Sequence, residues 1–587
     1  MITLSAVTEP GGPSGPAAST RRVSGRSVDD ADLAAAPFHL SAGDIAWVRA
    51  TLAGLSPDAK LRQLFCEASL SDDPAAVQAL ADERLGGVTR FVGADLEAAW
   101  RATRQLVVSA RVPLLIAGDL EGGGIGMPCA TPVPNQLGIA AADSVALAGE
   151  VAGLIAREGR ALGFNWAFGP VLDINARHRS AIVATRSFGS DPGRILRLAR
   201  AHVAALQREG VASTLKHWPG EGYDDRDQHL LTTINPLDVA AWESGFGTLY
   251  RELIAGGAMS VMSAHIALPA WAERLGAQGL ERFRPASISS ELNEGLLRGE
   301  LGFNGLVVSD ATMMAGLGSW GPRDRTLPEI VANGCDMILF SFELAADLAR
   351  LQRAIDDGRL PLQRVDAAVT RVLALKAALG LHRQTVDERV PPLEHTRAVV
   401  RCAAHVETSE RAARASITLV KDVDRLLPLQ VARHRRIVLV TDDERAGFVN
   451  QAAPPALEIG ALLRQRGFDV RRYAPEAPPT PADTDLVLYV LAQESLFTQS
   501  NIYLDWRRVA GSAEGAMRRH WHELPCLLVS FGHPYYLFDA PRMPCVVNAY
   551  TAVEPVQRAL VAALVGEFEP GTTSPVDAFC GLPDAHF

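Results

Sequence analysis

At 587 residues the chain is longer than one hydrophobic core sustains, so at least two domains are expected, and 48% hydrophobic with 21% charged residues excludes the disordered class. The 57 Lys and Arg against 67 Asp and Glu leave a formal net charge of −10 with no compensating basic stripe, which argues against a nucleic-acid partner and for a neutral or locally steered small ligand. No uncharged apolar run is long enough to span a bilayer, and the seven scattered cysteines carry no zinc spacing and read as buried thiols of a reducing compartment.

The opening stretch, MITLSAVTEPGGPSGPAASTRRVSGRS, is dominated by Pro, Gly, Ser and Ala, with no apolar segment behind a basic one. It predicts a disordered leader over 1–39 rather than a signal peptide, and with it a cytoplasmic protein. Ordered sequence is expected from Leu40, where Ser41 and Asp44 look like a helix cap and Ser56-Pro57 like the start of another helix. From there short apolar runs alternate with helix-length segments. The runs fall at 63–68, 88–92, 113–119, 164–173, 212–218, 258–265, 305–311 and 336–341. Eight such units predict a (β/α)8 barrel over 40–381.

In a barrel of this kind the C-terminal strand ends face the active site, and here they carry Asp119, Asp173, Lys216 with His217, His265 and Asp310. Strand-end Asp residues also serve as helix N-caps, so each of these has a structural alternative. The rhythm weakens over 382–410, where mixed charges and a Pro pair predict a linker, built as a connector or a surface helix. Beyond it, strand-like runs at 416–420, 436–441, 485–491, 526–531 and 545–549 predict a smaller, doubly wound α/β sandwich domain over 411–587. Its Gly532-His533-Pro534 turn lacks the glycine spacing of a dinucleotide site.

Chemistry is densest in KHWPGEGYDDRDQH, residues 216–229, which holds one Lys, two His, one Glu and three Asp, more than turn formation and solubility require. A solvated acidic loop is the alternative, and Asp227-Gln228-His229 taken alone could be a surface ion pair. Gly118-Asp119-Leu-Glu-Gly-Gly-Gly124 offers a carboxylate beside glycines that let backbone approach a ligand, and Arg186-Ser-Phe-Gly offers a guanidinium with fixed donors. Leu301-Gly-Phe-Asn-Gly-Leu-Val-Val-Ser-Asp310 delivers a lone carboxylate to a strand end, the position of a nucleophile. No HExxH, EF-hand or Cys/His cluster is present, so neither metal nor cofactor is expected.

These motifs resemble family 3 of the glycoside hydrolases, in its β-N-acetylglucosaminidase branch, from about Ser56 to the C-terminus. KHWPGEG followed by Asp227-x-His229 resembles the branch's KH(F)PGHG loop and its Asp-x-His dyad. Asp119-Leu-Glu-Gly-Gly resembles its Asp-Gln-Glu-Gly-Gly, Arg186-Ser-Phe-Gly its Arg-Ser-Phe-Gly, and Gly305-Leu-Val-Val-Ser-Asp310 its nucleophile strand. Val529-Ser-Phe-Gly-His-Pro-Tyr535 is similar to a segment of the family's second domain.

The resemblance implies a retaining exo-β-N-acetylhexosaminidase in which Asp310 attacks the anomeric carbon, His229 is the acid/base and Asp227 holds the imidazole. Asp119, Arg186, Lys216 and His217 would hold sugar hydroxyls, with a structural role for Asp173. The substrate would be a small glycoside or a muropeptide-like fragment from peptidoglycan recycling, while the oligomeric state stays open. The departure is Glu221, which stands where the family has His. It would bond a neighbour or a substrate hydroxyl, or act as the general acid with His229 in support. A β-glucosidase, a phosphorylase on the same scaffold, and a carbohydrate-binding protein with a decayed site are the alternatives. The glycines flanking Glu221 suggest a loop that swings in on the bound sugar.

Overall fold

A computed structural model describes residues 27–442, 456–494 and 504–587. Eight parallel strands close into a barrel in chain order: β1 Phe65–Ser69, β2 Gly87–Arg90, β3 Leu115–Gly118, β4 Trp166–Ala167, β5 Ala212–Trp218, β6 Ser260–Ser263, β7 Leu306–Ala311 and β8 Met337–Leu339. Closure is made where Phe65 of β1 pairs with Ile338 of β8. Each predicted apolar run contains one barrel strand. The reason is burial on both faces: every residue of β5 is buried, as a parallel strand covered by helices outside and side chains inside requires. The run at 164–173 is the one most shortened, since only Trp166 and Ala167 keep sheet pairing on both sides.

The helices between strands are capped by Asp73, Asp95, Asn135, Asp191 and Asp238, whose side chains accept first-turn amides. Asp119, Asp173 and Asp310 cap none of the described helices. The structural alternative for those strand-end carboxylates therefore falls away.

The sequence places the end of the leader too late. Residues 1–26 lie outside the described residues, but Asp30–Ala34 is a helix with a reciprocal capping box between Asp29 and Asp32. Val28, Leu33 and Phe38 are buried, and Asn304 Nδ2 donates to the Asp32 and Ala36 carbonyls at 2.6 and 3.1 Å. Of the two forms expected for the segment at 382–410, the helical one is found: it forms helices Val386–Arg389, Leu393–Val399 and the start of Ala403–Ser416. Trp100 Nε1 donates to Pro391 O at 2.7 Å and Thr396 Oγ1 to Ala161 O at 2.8 Å, fastening it to the barrel.

The second domain is a six-stranded sheet built from β9 Thr418–Asp422, β10 Arg436–Thr441, β11 Asp469–Arg472, β12 Leu486–Leu491, β13 Cys526–Ser530 and β14 Cys545–Asn548. Its spatial order is β9-β14-β13-β12-β10-β11, parallel except for the antiparallel edge strand β9. Along β12, Leu486, Leu488 and Val490 join one hydrophobic cluster and Val487, Tyr489 and Leu491 another, so both sheet faces are covered. The unpredicted strand is β11, where Val470 alone is buried between exposed or half-exposed charged neighbours. Among the described residues no helix is long and apolar enough to cross a membrane.

Under the barrel, Asp336 at the foot of β8 is fully buried among three arginines. Arg298 donates to it at 2.7 Å, Arg364 at 2.9 Å and the Val307 amide at 2.9 Å, with Arg371 at 3.6 Å. Burial works against its charge, but the three guanidiniums hold its carboxyl below the usual range. Asp336→Asn is expected to cost about 3–5 kcal/mol of stability, because it strands buried positive charge. A lowered urea midpoint checks this, and an unchanged midpoint would mean that the arginines balance one another.

Candidate active site

β5 ends in the residues that build the site. The Lys216 ammonium is fully buried and donates to Asp119 Oδ1 at 2.8 Å while lying 2.7 Å from Glu121 Oε1. Glu121 in turn receives a two-pronged guanidinium, with Arg186 Nε at 2.9 Å and Nη2 at 2.8 Å. Burial disfavours every charge in this cluster, yet the pairing prevails: Arg186 and Lys216 hold the Glu121 carboxyl below its usual range, and the carboxylates raise both cations. His217 stands beside it, its Nε2 3.5 Å from Arg186 Nη2 and its Nδ1 donating to Asp173 Oδ2 at 2.6 Å. Asp173 Oδ1 takes the amides of His217 and Glu221 at 3.2 and 2.9 Å, so this carboxylate orients the imidazole and the turn after it. A fixed lattice of charges therefore lines one side of the barrel mouth, with Asp119 its most exposed carboxylate at 22%.

Two of the expected site residues meet on the loop after β5. His229 Nδ1 donates to Asp227 Oδ1 at 2.7 Å, and the same oxygen accepts the His229 amide at 2.9 Å. Asp227 is 2% exposed, which rules out a surface ion pair. With Nδ1 bound to a carboxylate, the imidazole exchanges protons through Nε2.

Asp310 ends the apolar part of β7, 8% exposed, with Oδ1 accepting the Ala311 amide at 2.7 Å. Burial works against its charge, but His217, His265 and His229 together with that amide keep its carboxyl below the ordinary value. His265 holds the tip of β7 in place: its Nε2 donates to Ala311 O at 3.0 Å and its Nδ1 accepts from Ser287 Oγ at 2.8 Å. That tautomer is neutral, in keeping with burial lowering the His265 pKa.

Glu221 lies inside the loop rather than at its rim. It is 3% exposed, its Oε2 accepts from Gln228 Nε2 at 3.1 Å and its Oε1 is 3.3 Å from Thr233 Oγ1. Of the uses expected from sequence, bonding to neighbours is the one displayed. The turn around it needs glycine: Gly222 has φ +109° and a Cβ there would meet Ile174 O at 1.9 Å. Burial, then the charges of Asp173, Asp227 and Asp310, raise the Glu221 pKa well above the carboxyl range. A raised folded pKa gives full stability below the unfolded value of about 4.3 and drains it as pH climbs toward the folded value. Glu221→Gln is expected to remove a slope of about 1.4 kcal/mol per pH unit in that window. Thermal midpoints of the two proteins should separate as pH rises, and parallel curves would mean that Glu221 is ionised in the native state.

Oxygen and nitrogen atoms of Asp173, His217 and Glu221 come within 4.8 Å of one another, a spacing that could hold an ion. Their own hydrogen bonds account for that spacing, and the Arg186 guanidinium adjoins His217.

Comparison with known proteins bears on this site directly. The model of the glycosyl hydrolase family 3 N-terminal domain matches residues 57–375, and a β-N-acetylglucosaminidase/β-glucosidase of Cellulomonas fimi is 41% identical over 94% of this chain and 100% of its own length. The chain belongs to glycosyl hydrolase family 3. Among solved structures it is similar to a β-glucoside phosphorylase bound to 2FGlc, at TM-score 0.87 and 34% identity over 94% of this chain and all of the other. It is also similar to a family 3 β-N-acetylglucosaminidase from Paenibacillus, at TM-score 0.75 and 26% identity over 90% of this chain and 100% of the other. With enzymes as relatives along its whole length, this family 3 glycosidase leaves the decayed binding protein without support.

Three side chains bonded to the candidate site or its loops are not marked as site residues by the sequence reading. Glu121 sits two residues from the chosen Asp119, and its signal was present in the Asp-Leu-Glu-Gly motif itself. Gln228 carries no charge and drew no attention between Asp227 and His229. The third comes from the second domain. Glu494 accepts from the Gly124 amide at 3.4 Å and from Asn135 Nδ2 at 3.3 Å, so a carboxylate from beyond β12 braces the glycine loop that follows Asp119. Gly532 allows that approach, since a Cβ there would meet Gln493 O at 1.7 Å, and His533 N donates to the same oxygen at 2.7 Å. Only the fold could reveal this contact, which joins residues about 370 apart in sequence.

Proposed function

We propose that the protein is a retaining exo-β-glycosidase that removes terminal N-acetylglucosamine from small glycosides or muropeptide-like fragments, using Asp310, His229 and Asp227. The observation that carries the reading is the placement of buried Asp310 at the tip of β7, its carboxyl held below the ordinary value, together with a His229 bonded through Nδ1 to buried Asp227. Lys216, Asp119, Arg186 and His217 form the polar wall against which sugar hydroxyls would be held.

In the first step an Asp310 oxygen attacks the anomeric carbon and the glycosidic C–O bond breaks. The departing oxygen takes its electron pair and a proton from His229 Nε2. In the second, water attacks the same carbon, the bond to Asp310 breaks, and Nε2 takes a proton from the water. Asp227 favours the imidazolium in the first step and keeps the ring oriented in both. Assays with p-nitrophenyl N-acetyl-β-glucosaminide and the glucoside, with the anomer released first read by NMR, test the reading. Retention is expected, and inversion would end it.

Phosphorolysis is a second reading, favoured by the full-length similarity to a β-glucoside phosphorylase. An imidazole left neutral after giving up its proton does not repel an incoming phosphate as a carboxylate would. Under that reading, phosphate in the assay yields a sugar 1-phosphate and raises turnover. Hydrolysis alone gives the free sugar at a rate indifferent to phosphate.

A further inference from the structure

The residue between the two members of the dyad is a fully buried glutamine, and both ends of its carboxamide are engaged. Gln228 Nε2 donates to Glu221 Oε2 at 3.1 Å, and Gln228 Oε1 accepts the His265 amide at 3.0 Å. The first bond returns to the start of the loop after β5. The second reaches the end of β6, whose His265 ring donates on to Ala311 O at 3.0 Å, the peptide next to Asp310. The backbone around it is tied to the same region: the Ala315 amide donates to His229 O at 2.9 Å and Thr232 Oγ1 to Gly316 O at 2.7 Å. Gly316 packs so closely on the loop that a Cβ there would meet Gln228 O at 2.2 Å.

We infer that Gln228 is the positioning residue of the acid/base: its carboxamide pins the Asp227–His229 turn between Glu221 and His265, and so fixes proton donor and nucleophile relative to each other before substrate arrives. The inference rests on the proposed roles of Asp310 and His229. An amide is the side chain this place requires. Glu221 offers oxygens and needs a donor opposite it, whereas the His265 amide is a donor and needs an oxygen. Glutamate would set two carboxyl groups against each other, methionine would satisfy neither partner, and alanine would leave a void.

A misplaced acid hurts a reaction only where the leaving group needs a proton, and this separates positioning from general damage. The test measures kcat and KM with two aryl β-glycosides of one sugar. A 4-methoxyphenyl leaving group needs acid assistance, and a 2,4-dinitrophenyl group departs without it. The enzymes compared are wild type, Gln228→Ala, the size-matched Gln228→Met and His229→Ala. For both Gln228 variants we expect kcat/KM on the methoxyphenyl glycoside to fall on the order of 10- to 100-fold, and on the dinitrophenyl glycoside by less than about 3-fold, with KM steady. Equal losses on the two substrates, or a Gln228→Met enzyme that matches wild type on the poor leaving group, would overturn the inference while leaving the dyad intact. If His229→Ala itself shows no dependence on the leaving group, the proposed mechanism falls and the positioning role falls with it. Should Gln228→Ala fail to fold, the methionine variant carries the comparison.

Discussion

Asp310→Ala is expected to lower kcat/KM by roughly 10⁴- to 10⁶-fold while leaving the barrel folded. The size of the effect follows from what the carboxylate does. Under the proposed mechanism it forms and breaks the bond to the anomeric carbon. Burial works against the charge of Asp310, but the surrounding histidines and the Ala311 amide hold its carboxyl below the ordinary value, which suits an attacking carboxylate. A lowered folded pKa also means that Asp310 contributes stability above the ordinary carboxyl range and loses it as pH falls through the folded value. The alanine variant should therefore be no less stable in strong acid, a control that separates loss of chemistry from loss of fold. Its carboxylate accepts the neighbouring Ala311 amide and caps none of the described helices, so circular dichroism should match wild type. Azide, small enough to enter the space left by the carboxylate, should attack the anomeric carbon from the nucleophile's side and restore part of the rate. Residual turnover above about one per cent without azide would place the nucleophile elsewhere, since a covalent catalyst does not survive loss of its attacking atom at that level.

The parts of this architecture that could be read from the chain are those that repeat or that sit next to each other. Eight apolar runs alternating with helix-length segments predict a closed barrel because its parallel strands are buried on both faces, as all of β5 and the first five residues of β7 are. β11 escaped because an edge strand with one buried valine has no such signature. The leader boundary slipped for the opposite reason. Asp29 and Asp32 spell a capping box, but it lies directly behind a stretch rich in small residues and was absorbed into it. The strand-end carboxylates are legible from identity and position, and the dyad from its resemblance to the family's Asp-x-His pattern, since spacing alone leaves a surface ion pair open. The groups that govern them are not. Glu494 reaches the Gly124 loop across 370 positions, and Gln228 matters only because the fold sets Glu221 and the His265 amide at its two ends. A neutral amide in a loop advertises nothing until both of its partners are in view.

Electrostatics ties the two carboxyl groups that compete for a catalytic role. Asp310 is compensated chiefly by imidazoles, whereas Glu221 feels the negative charges of Asp173, Asp227 and Asp310. With Arg186 as its opposing cation, the Glu221 pKa is pushed up where that of Asp310 is held down. Retaining a proton is a property of a general acid, and on that criterion alone Glu221 would compete with His229. Burial and bonding separate them. Glu221 is 3% exposed and engaged with Gln228 and Thr233, whereas the His229 side chain is 18% exposed. Under the proposed mechanism Glu221 therefore braces the loop while His229 delivers the proton.

For His229→Ala the expected loss in kcat/KM is about 10²- to 10⁴-fold on a glycoside whose leaving group needs a proton, shrinking toward wild type on the dinitrophenyl glycoside. The second substrate releases its aglycone unassisted, so glycosylation of Asp310 proceeds without the imidazole. Breakdown of the glycosyl-enzyme still lacks its base. The variant should therefore release a rapid burst of dinitrophenolate matching the enzyme concentration and then turn over slowly, with azide, which needs no base, restoring the steady rate. Asp227→Asn should show the same pattern in weaker form, because the amide keeps one contact to the ring but no longer stabilises its protonated state. Glu221→Ala makes the opposing case measurable. If it shows the burst and the azide response while His229→Ala retains full rate, the acid is the carboxyl buried behind the loop and the dyad merely shapes it.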